Sequence, residues 1–116
     1  KKMINKVGEL DKDFFHGAFH RYWGAYYAAA PSFAGGDINK SFDSFTKAIE
    51  AEKNYLGSYV LFASYYATKK GNKKLFQEKL NYVLNAKSDV IDAITPENNI
   101  EKNKAKKLLS NIDELF

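Results

Sequence analysis

Two histidines are the residues of this chain best suited to bind a metal. His16 and His20 are four residues apart, which places both imidazoles on one face of a helix, and Asp13 lies about one turn earlier. Zinc needs at least a third protein ligand, and the chain has no further histidine and no cysteine. We therefore predict no metal site and no cofactor, and interpret the pair as one hydrogen-bonded and one exposed histidine.

The hydroxyl and carboxyl groups form no recognisable catalytic pattern. No carboxylate lies in an apolar run where burial would raise its pKa toward that of a general acid. The Gly-x-Ser-x-Gly pattern of a nucleophile elbow is absent. Gly35-Gly36-Asp37 could hold an anion ahead of a helix, but the lysine pattern and the strand of a phosphate loop are missing. We predict no catalytic residues and a protein that is not an enzyme.

Aromatic side chains are the remaining candidates for a functional role. The chain has eight tyrosines, more hydroxyl groups than a small core can satisfy. They either pack the helices with their hydroxyls at the rim, or line a concave surface or tunnel that takes a ligand or a peptide. The aromatic residues in question are Tyr22, Trp23, Tyr26, Tyr27, Tyr59, Tyr65, Tyr66 and Tyr82. The residues alone leave both interpretations open.

Length and composition indicate one soluble globular domain. The chain has 116 residues, of which 45% are hydrophobic and 28% are charged. No apolar run approaches the roughly 18 residues of a membrane span. Of the 18 cationic residues only Arg21 is an arginine, although nucleic-acid sites favour arginine, so the net charge of +4 predicts a lysine-rich surface and no nucleic-acid partner.

Helical periodicity fills every long segment, which predicts an all-α fold of five helices. The helices are expected from about Asp13 to Ala29, from Asp37 to near Lys53, from Ser58 to about Thr68, from Asn72, and from Thr95. Asp11 or Asp13 is the expected cap of the first helix, and Asp37 that of the second. Thr95 is expected to cap the last helix, with Pro96 at its first position.

An internal repeat relates the two halves of the chain. Ala25-Tyr26-Tyr27-Ala28 aligns with Ser64-Tyr65-Tyr66-Ala67 at an offset of 39, and Phe45-x-x-Ala48-Ile49 aligns with Leu80-x-x-Val83-Leu84 at an offset of 35. These offsets are typical of tetratricopeptide-like repeats. The sequence therefore predicts two helical hairpins followed by a C-terminal capping helix. In such repeats the first helix of each unit usually lines the concave face, and both Tyr-Tyr pairs are on first helices.

A set of short motifs carries a resemblance to a known family. The first half contains His20-x-x-x-Gly24, Pro31, Gly35-Gly36-Asp37 and Phe45-x-x-Ala48-Ile49. The second half contains Tyr59-Val60-Leu61-x-Ala63-x-Tyr65-Tyr66, Phe76-x-x-x-Leu80-x-x-Val83-Leu84, and an ending with Asn98, Ala105, Leu108-Leu109 and Asp113-Glu114-Leu115-Phe116. In this order and spacing they resemble the T component of tripartite ATP-independent periplasmic (TRAP) transporters, over about Phe14 to Phe116.

The resemblance implies a non-enzymatic, periplasmic accessory protein with tetratricopeptide-like repeats. Its implied partner is the solute-binding protein of the transporter, and its implied ligand is small and apolar. The ligand-lining candidates by this resemblance are Tyr22, Trp23, Tyr26, Tyr27, Tyr65 and Tyr66. The partner-docking candidates are Pro31, Phe33, Gly35, Gly36 and Asp37.

Two further expectations concern the whole protein. Members of the family are longer at the N-terminus and begin with a lipoprotein signal, so we expect residues 1–116 to be a single helical-repeat domain from the C-terminal part of a longer, lipid-anchored protein. The sequence leaves open whether the chain forms a homo-oligomer. The alternative function is a general tetratricopeptide-like adaptor that binds an extended peptide, which the repeat spacing supports equally.

Overall fold

Helices account for the regular secondary structure in residues 17–116, the part of the chain that the computed structural model describes, and no strand occurs there. The helices are α1 (Ala18–Ala29), α2 (Ile38–Ala51), α3 (residues 57–70), α4 (Lys73–Asn85), α5 (Thr95–Ser110) and α6 (Ile112–Leu115). Short 3-10 turns, Ser32–Ala34 and Asp92–Ile94, precede α2 and α5. The predicted all-α fold is confirmed.

The start of α1 differs from the prediction. The helix begins at Ala18, because Gly17 has a φ of 88° and cannot continue a right-handed helix. A Cβ at Gly17 would also meet the backbone of Ala48 at 2.9 Å, so this position brings the chain close to α2. The predicted caps Asp11 and Asp13, and His16, lie outside the described residues.

Of the capping residues predicted for the later helices, one is confirmed and one is not. The Asp37 carboxylate accepts hydrogen bonds from the Asn39 and Lys40 amides, as predicted. The prediction that Thr95 caps α5 is wrong. Thr95 is itself the first helical residue, and its hydroxyl donates backwards to the Ile91 carbonyl at 3.3 Å instead of accepting from the first turn.

Helix α3 is continuous but changes its winding. Its first segment, Gly57–Leu61, and its last, Thr68–Lys70, are α-helical, whereas Phe62–Ala67 forms a π-helix. Wider π turns are rare and concentrate at functional sites. The sequence pattern predicted a helix here but not this change of winding.

Helices α1 and α2 form one packed pair, and α3 packs against both of them. A Cβ on Gly24 would meet the Phe45 ring at 2.8 Å, and the Ser41 hydroxyl donates to the Gly24 carbonyl at 2.7 Å, so the two helices approach closely. Phe45 is fully buried, whereas Phe42, about one turn earlier on α2, is 43% exposed and contacts the ring of Phe62.

Helices α3, α4 and α5 enclose the main apolar cluster, which includes Leu56, Phe76 and Leu80. The side chain of Asn98 on α5 fixes the segments before α3 and after α4 by three hydrogen bonds. The tetratricopeptide-like character of the α1–α2 and α3–α4 pairs stays a prediction. Within residues 17–116 no helix has the length and apolar character that crossing a bilayer requires.

Candidate ligand-binding groove

A cavity of about 440 Å³ lies between α3 and α5, and we call it the α3–α5 cleft. Its apolar lining comes from Val60, Leu61 and Leu108, and its volume lies in the range of small-molecule sites. The further lining residues are Arg21, Tyr55, Gly57, Ser64, Glu101, Lys104, Lys107 and Asn111. The cleft therefore combines an apolar surface with several charged groups.

Arg21 reaches the cleft from α1 and is 9% exposed. Its guanidinium carbon lies 4.0 Å from the centroid of the Tyr55 ring, and Nη1 donates to the Ser58 hydroxyl at 3.3 Å. Burial lowers the pKa of Arg21, while Tyr55 and Glu101 oppose that change. Because a guanidinium stays protonated in proteins, Arg21 is a fixed positive charge in the cleft wall.

Helix α5 contributes further charge to the cleft. The Lys104 ammonium lies 3.3 Å from a carboxylate oxygen of Glu101. Lys107 also lines the cleft and forms no ion pair with any residue between 17 and 116. With Arg21, the lining that residues 17–116 provide therefore includes three cations and one carboxylate.

Two shallower cavities extend the cleft across the same face of the molecule. One of about 360 Å³ lies between α1 and α3 and shares Arg21 and Leu61 with the cleft. Another of about 280 Å³ shares Ser64 with the cleft and includes Lys69. Because their walls are shared, the three cavities form one surface, which we call the α1–α3–α5 groove.

The π-helical segment of α3 lies at the centre of this groove. Ser64 lines the cleft, and Tyr65 lines both shallower cavities. The Thr68 hydroxyl donates to the Ser64 carbonyl at 2.6 Å, which provides a partner for a carbonyl in the altered turn. The π-helical segment thus contributes Ser64 and Tyr65 to the groove.

A family model described as TAtT, the TRAP transporter T-component, matches residues 1–116. The chain belongs to the TRAP transporter T-component family. No curated protein is similar enough to be matched to it by sequence. This match confirms the resemblance found in the sequence motifs. The family consists of transporter accessory proteins and is generally non-enzymatic.

The six ligand-lining candidates of this T component lie in three places. Tyr22, Tyr26 and Tyr65 come together in the shallow cavity between α1 and α3. Trp23 packs its ring against Tyr27, with centroids 5.6 Å apart, beside that cavity. Tyr66 faces α2, where its ring centroid is 5.4 Å from that of Phe42. Their roles in ligand binding stay predictions.

The loop before α2 holds the partner-docking candidates of the T component. Phe33 is 92% exposed at the centre of the 3-10 turn. The Gly36 amide donates to the Pro31 carbonyl at 3.0 Å, and the Tyr26 hydroxyl donates to the Ala34 carbonyl, so several bonds hold the loop. A Cβ at Gly36 would meet the Ala30 carbonyl oxygen at 1.9 Å, which explains the glycine. Docking through this loop stays a prediction.

Sequence reasoning on this T component did not find the α3–α5 cleft. In the sequence, Arg21 enters only the charge balance, and Leu108 only the C-terminal motif. The available signal was a single arginine within an aromatic helix of an otherwise lysine-rich chain. Residues 17–116 contain no group of three or more potential metal-binding side chains, and His20 packs its ring against Phe19.

Proposed function

We propose that this T component binds a small apolar ligand, the periplasmic solute-binding protein of its transporter, or both, and performs no chemical turnover. The observation that carries the proposal is the α3–α5 cleft, a cavity of about 440 Å³ in a protein of a transporter accessory family. The proposal includes a periplasmic location and a lipid anchor in the full-length protein.

The lining of the groove supports a ligand with an apolar body. Val60, Leu61 and Leu108 offer methyl groups inside the cleft, and burying apolar surface is worth about 25 cal/mol per Å². Tyr22 and Tyr65 continue that surface outside it, with partly exposed rings. A ligand that leaves water can therefore gain contacts along the whole groove.

The alternative, an adaptor for an extended peptide, finds less support in the groove. An extended peptide has an amide and a carbonyl at every residue, spaced about 3.3 Å apart, and these groups need partners when they leave water. Along the middle of the groove, Leu61 and Ala25 offer no side-chain hydrogen-bonding group. Peptide groups that pass over these two residues would lose water without gaining a partner there, while Arg21, Ser64 and the tyrosines of the groove could serve other peptide groups.

The test of ligand binding is native mass spectrometry of the protein purified from its own cells. We expect a small molecule to co-purify and Leu108→Trp to remove it, because the indole would occupy the cleft. Lys106→Trp is the matched control, since Lys106 lies on the same helix but does not line the cleft. Equal small-molecule occupancy in both variants would contradict binding in the cleft.

Partner docking is tested by co-elution of the solute-binding protein. Phe33→Asp should reduce the co-eluting fraction, because it replaces the most exposed aromatic side chain of the loop by a charge. Ser32→Asp, one residue earlier in the same turn, is the matched control. If both variants retain the partner as the unmodified protein does, the loop is not the docking edge.

A further inference from the structure

We propose that one end of the helical bundle binds an anionic lipid surface through its lysines. Three lysine pairs meet at this end, which we call the basic end. Helix α3 ends with one pair, α4 begins with the second, and the third lies near the end of α5. The pairs are Lys69-Lys70, Lys73-Lys74 and Lys106-Lys107. Such binding goes beyond the proposed function and does not depend on a ligand in the α3–α5 cleft.

Contacts of α6 place the end of α5 beside the start of α4. The Lys73 ammonium lies 3.6 Å from a carboxylate oxygen of Asp113. The ring centroids of Phe76 and Phe116 are 5.1 Å apart. Because a single residue separates α5 from α6, these contacts bring the third lysine pair to the same end of the bundle as the other two.

The turn between α3 and α4 projects from the bundle. All four of its lysines are exposed. A Cβ at Gly71, the residue at the centre of this turn, would meet no atom within 4 Å. Lys69, Lys70 and Lys74 form no ion pair with any residue between 17 and 116. The turn can therefore approach a flat surface and present its ammonium groups to it.

Helix electrostatics explains one of these two pairs but not the other. Lys69 and Lys70 lie in the last turn of α3, where a cation interacts favourably with the helix dipole. Lys73 and Lys74 are the first two residues of α4, where the dipole disfavours cations, and that turn contains no acidic residue. Since this pair does not stabilise its own helix, its position supports a role in binding.

The acidic residues of α4 and α6 reduce the positive charge of the basic end without cancelling it. They are Glu78, Asp113 and Glu114, against six lysines, and α3 contains no acidic residue. The Asp113 side chain is 93% exposed, and ion pairs that are so open to water are worth little. The excess of cations favours an anionic partner.

Exposed apolar side chains beside the lysines favour lipid over nucleic acid. Leu115 and Phe116 are both exposed, and α6 holds them next to the first turn of α4. Surfaces that bind membranes combine lysines with apolar side chains, which enter the boundary between head groups and acyl chains. Nucleic-acid sites favour arginine, and the basic end has lysine at all six cationic positions.

Co-sedimentation of the purified protein with lipid vesicles tests the proposal. We expect binding to vesicles of equal parts phosphatidylglycerol and phosphatidylcholine, and little binding to phosphatidylcholine alone. Replacing both Lys73→Gln and Lys74→Gln should weaken binding about 25-fold, or about fivefold for each lysine. Raising the salt concentration from about 0.1 M to about 1 M should also weaken it, because the Debye length falls about threefold.

A matched pair of substitutions controls for overall charge. Lys53 and Lys87 are exposed and follow the C-terminal ends of α2 and α4, at the opposite end of the bundle. Lys53→Gln with Lys87→Gln removes the same charge and should change vesicle binding little. Urea denaturation of the Lys73→Gln, Lys74→Gln variant should give a free energy of unfolding that is unchanged or slightly raised, because two cations leave a helix N-terminus.

The outcomes are distinct from those that test the proposed function. Equal binding to anionic and neutral vesicles, or no binding to either, would overturn the lipid assignment. Equal losses in the two double variants would also overturn it, because overall charge would then explain the effect. If Lys73→Gln with Lys74→Gln reduced co-elution of the solute-binding protein but not vesicle binding, the basic end would serve a protein instead. Each of these results leaves ligand binding in the α3–α5 cleft unaffected.

Discussion

Replacing Asn98 tests how α5 is attached to the rest of the fold. Asn98 is 1% exposed, and its Oδ1 accepts from the Leu56 amide at 2.9 Å. Its Nδ2 donates to the carbonyls of Asn54, at 2.9 Å, and Ser88, at 3.2 Å. One amide side chain thus joins three segments that are distant in sequence, and Asn98→Ala breaks all three bonds.

The free-energy cost of Asn98→Ala depends on whether each former hydrogen-bond partner of the side chain can bond to water instead. The Leu56 amide belongs to a residue that is 1% exposed, and an unsatisfied buried donor costs about 1–3 kcal/mol. The Asn54 and Ser88 residues are half-buried, so their carbonyls can regain water. The small cavity left by the amide adds about 1 kcal/mol. We expect Asn98→Ala to lower the free energy of unfolding by about 2–4 kcal/mol.

Urea denaturation followed by circular dichroism measures this change, with Asn99→Ala as the control because Asn99 is exposed on the same turn. At about 4 °C per kcal/mol for a domain of this size, the melting temperature should fall by roughly 8–16 °C. Hydrogen exchange at the Leu56 amide should accelerate. If Asn98→Ala were within about 0.5 kcal/mol of Asn99→Ala, the side chain would not fasten α5 as described.

Three further predictions concern packing, capping and pH. Gly24→Ala should lower the free energy of unfolding, measured in urea, by about 1–2 kcal/mol, because the overpacking of Phe45 outweighs the gain in helix propensity. Lys102→Met should lower it by about 0.5–1 kcal/mol, since the ammonium donates to two carbonyls at the end of α4, whereas Lys106→Met should not. Burial raises the pKa of Tyr59, so the folded chain holds that proton more tightly than the unfolded chain does. The free energy of unfolding should therefore fall as pH rises above about 10, and Tyr59→Phe should flatten that slope in urea titrations between about pH 9 and 11.

The sequence predicted those features of the fold that depend on local chemistry. Asp37 caps α2 because its carboxylate reaches two free amides of the first turn, which the residue type and its position already indicate. Phe45 lies in the core because helical spacing places it with Ala48 on one face, and both are fully buried. The all-α class follows from the same periodicity.

The features that the sequence did not predict depend on the backbone conformation of adjacent turns and on contacts between helices. Thr95 has the type of a capping residue, but the preceding 3-10 turn offers its hydroxyl the Ile91 carbonyl, so the helix starts one residue earlier than a Thr cap would allow. Gly17 takes a left-handed conformation where Ala48 approaches, which helical spacing alone cannot predict. The π-helical segment of α3 likewise leaves no distinct mark in the apolar pattern.

The candidate residues from the sequence lie in only one part of the α1–α3–α5 groove. Both Tyr-Tyr pairs were assigned to first helices, and Tyr26 and Tyr65 indeed line one cavity between α1 and α3. The sequence pattern does not predict the cleft beside it, because the walls of the cleft come from α3 and α5, and their contact depends on how α5 packs. In the sequence, nothing distinguishes Lys107 from the other sixteen lysines, because its place in the cleft depends on that packing.

Arg21 connects the part of the groove that the sequence predicts with the part that it does not. All the other cationic positions of the chain are occupied by lysine. The arginine at position 21 therefore provides something besides its charge. A planar guanidinium can lie over the Tyr55 ring and donate to the Ser58 hydroxyl, and it is less strongly hydrated than an ammonium and therefore less costly to bury. Because Arg21 lines both the shallow cavity between α1 and α3 and the α3–α5 cleft, one buried charge influences both cavities.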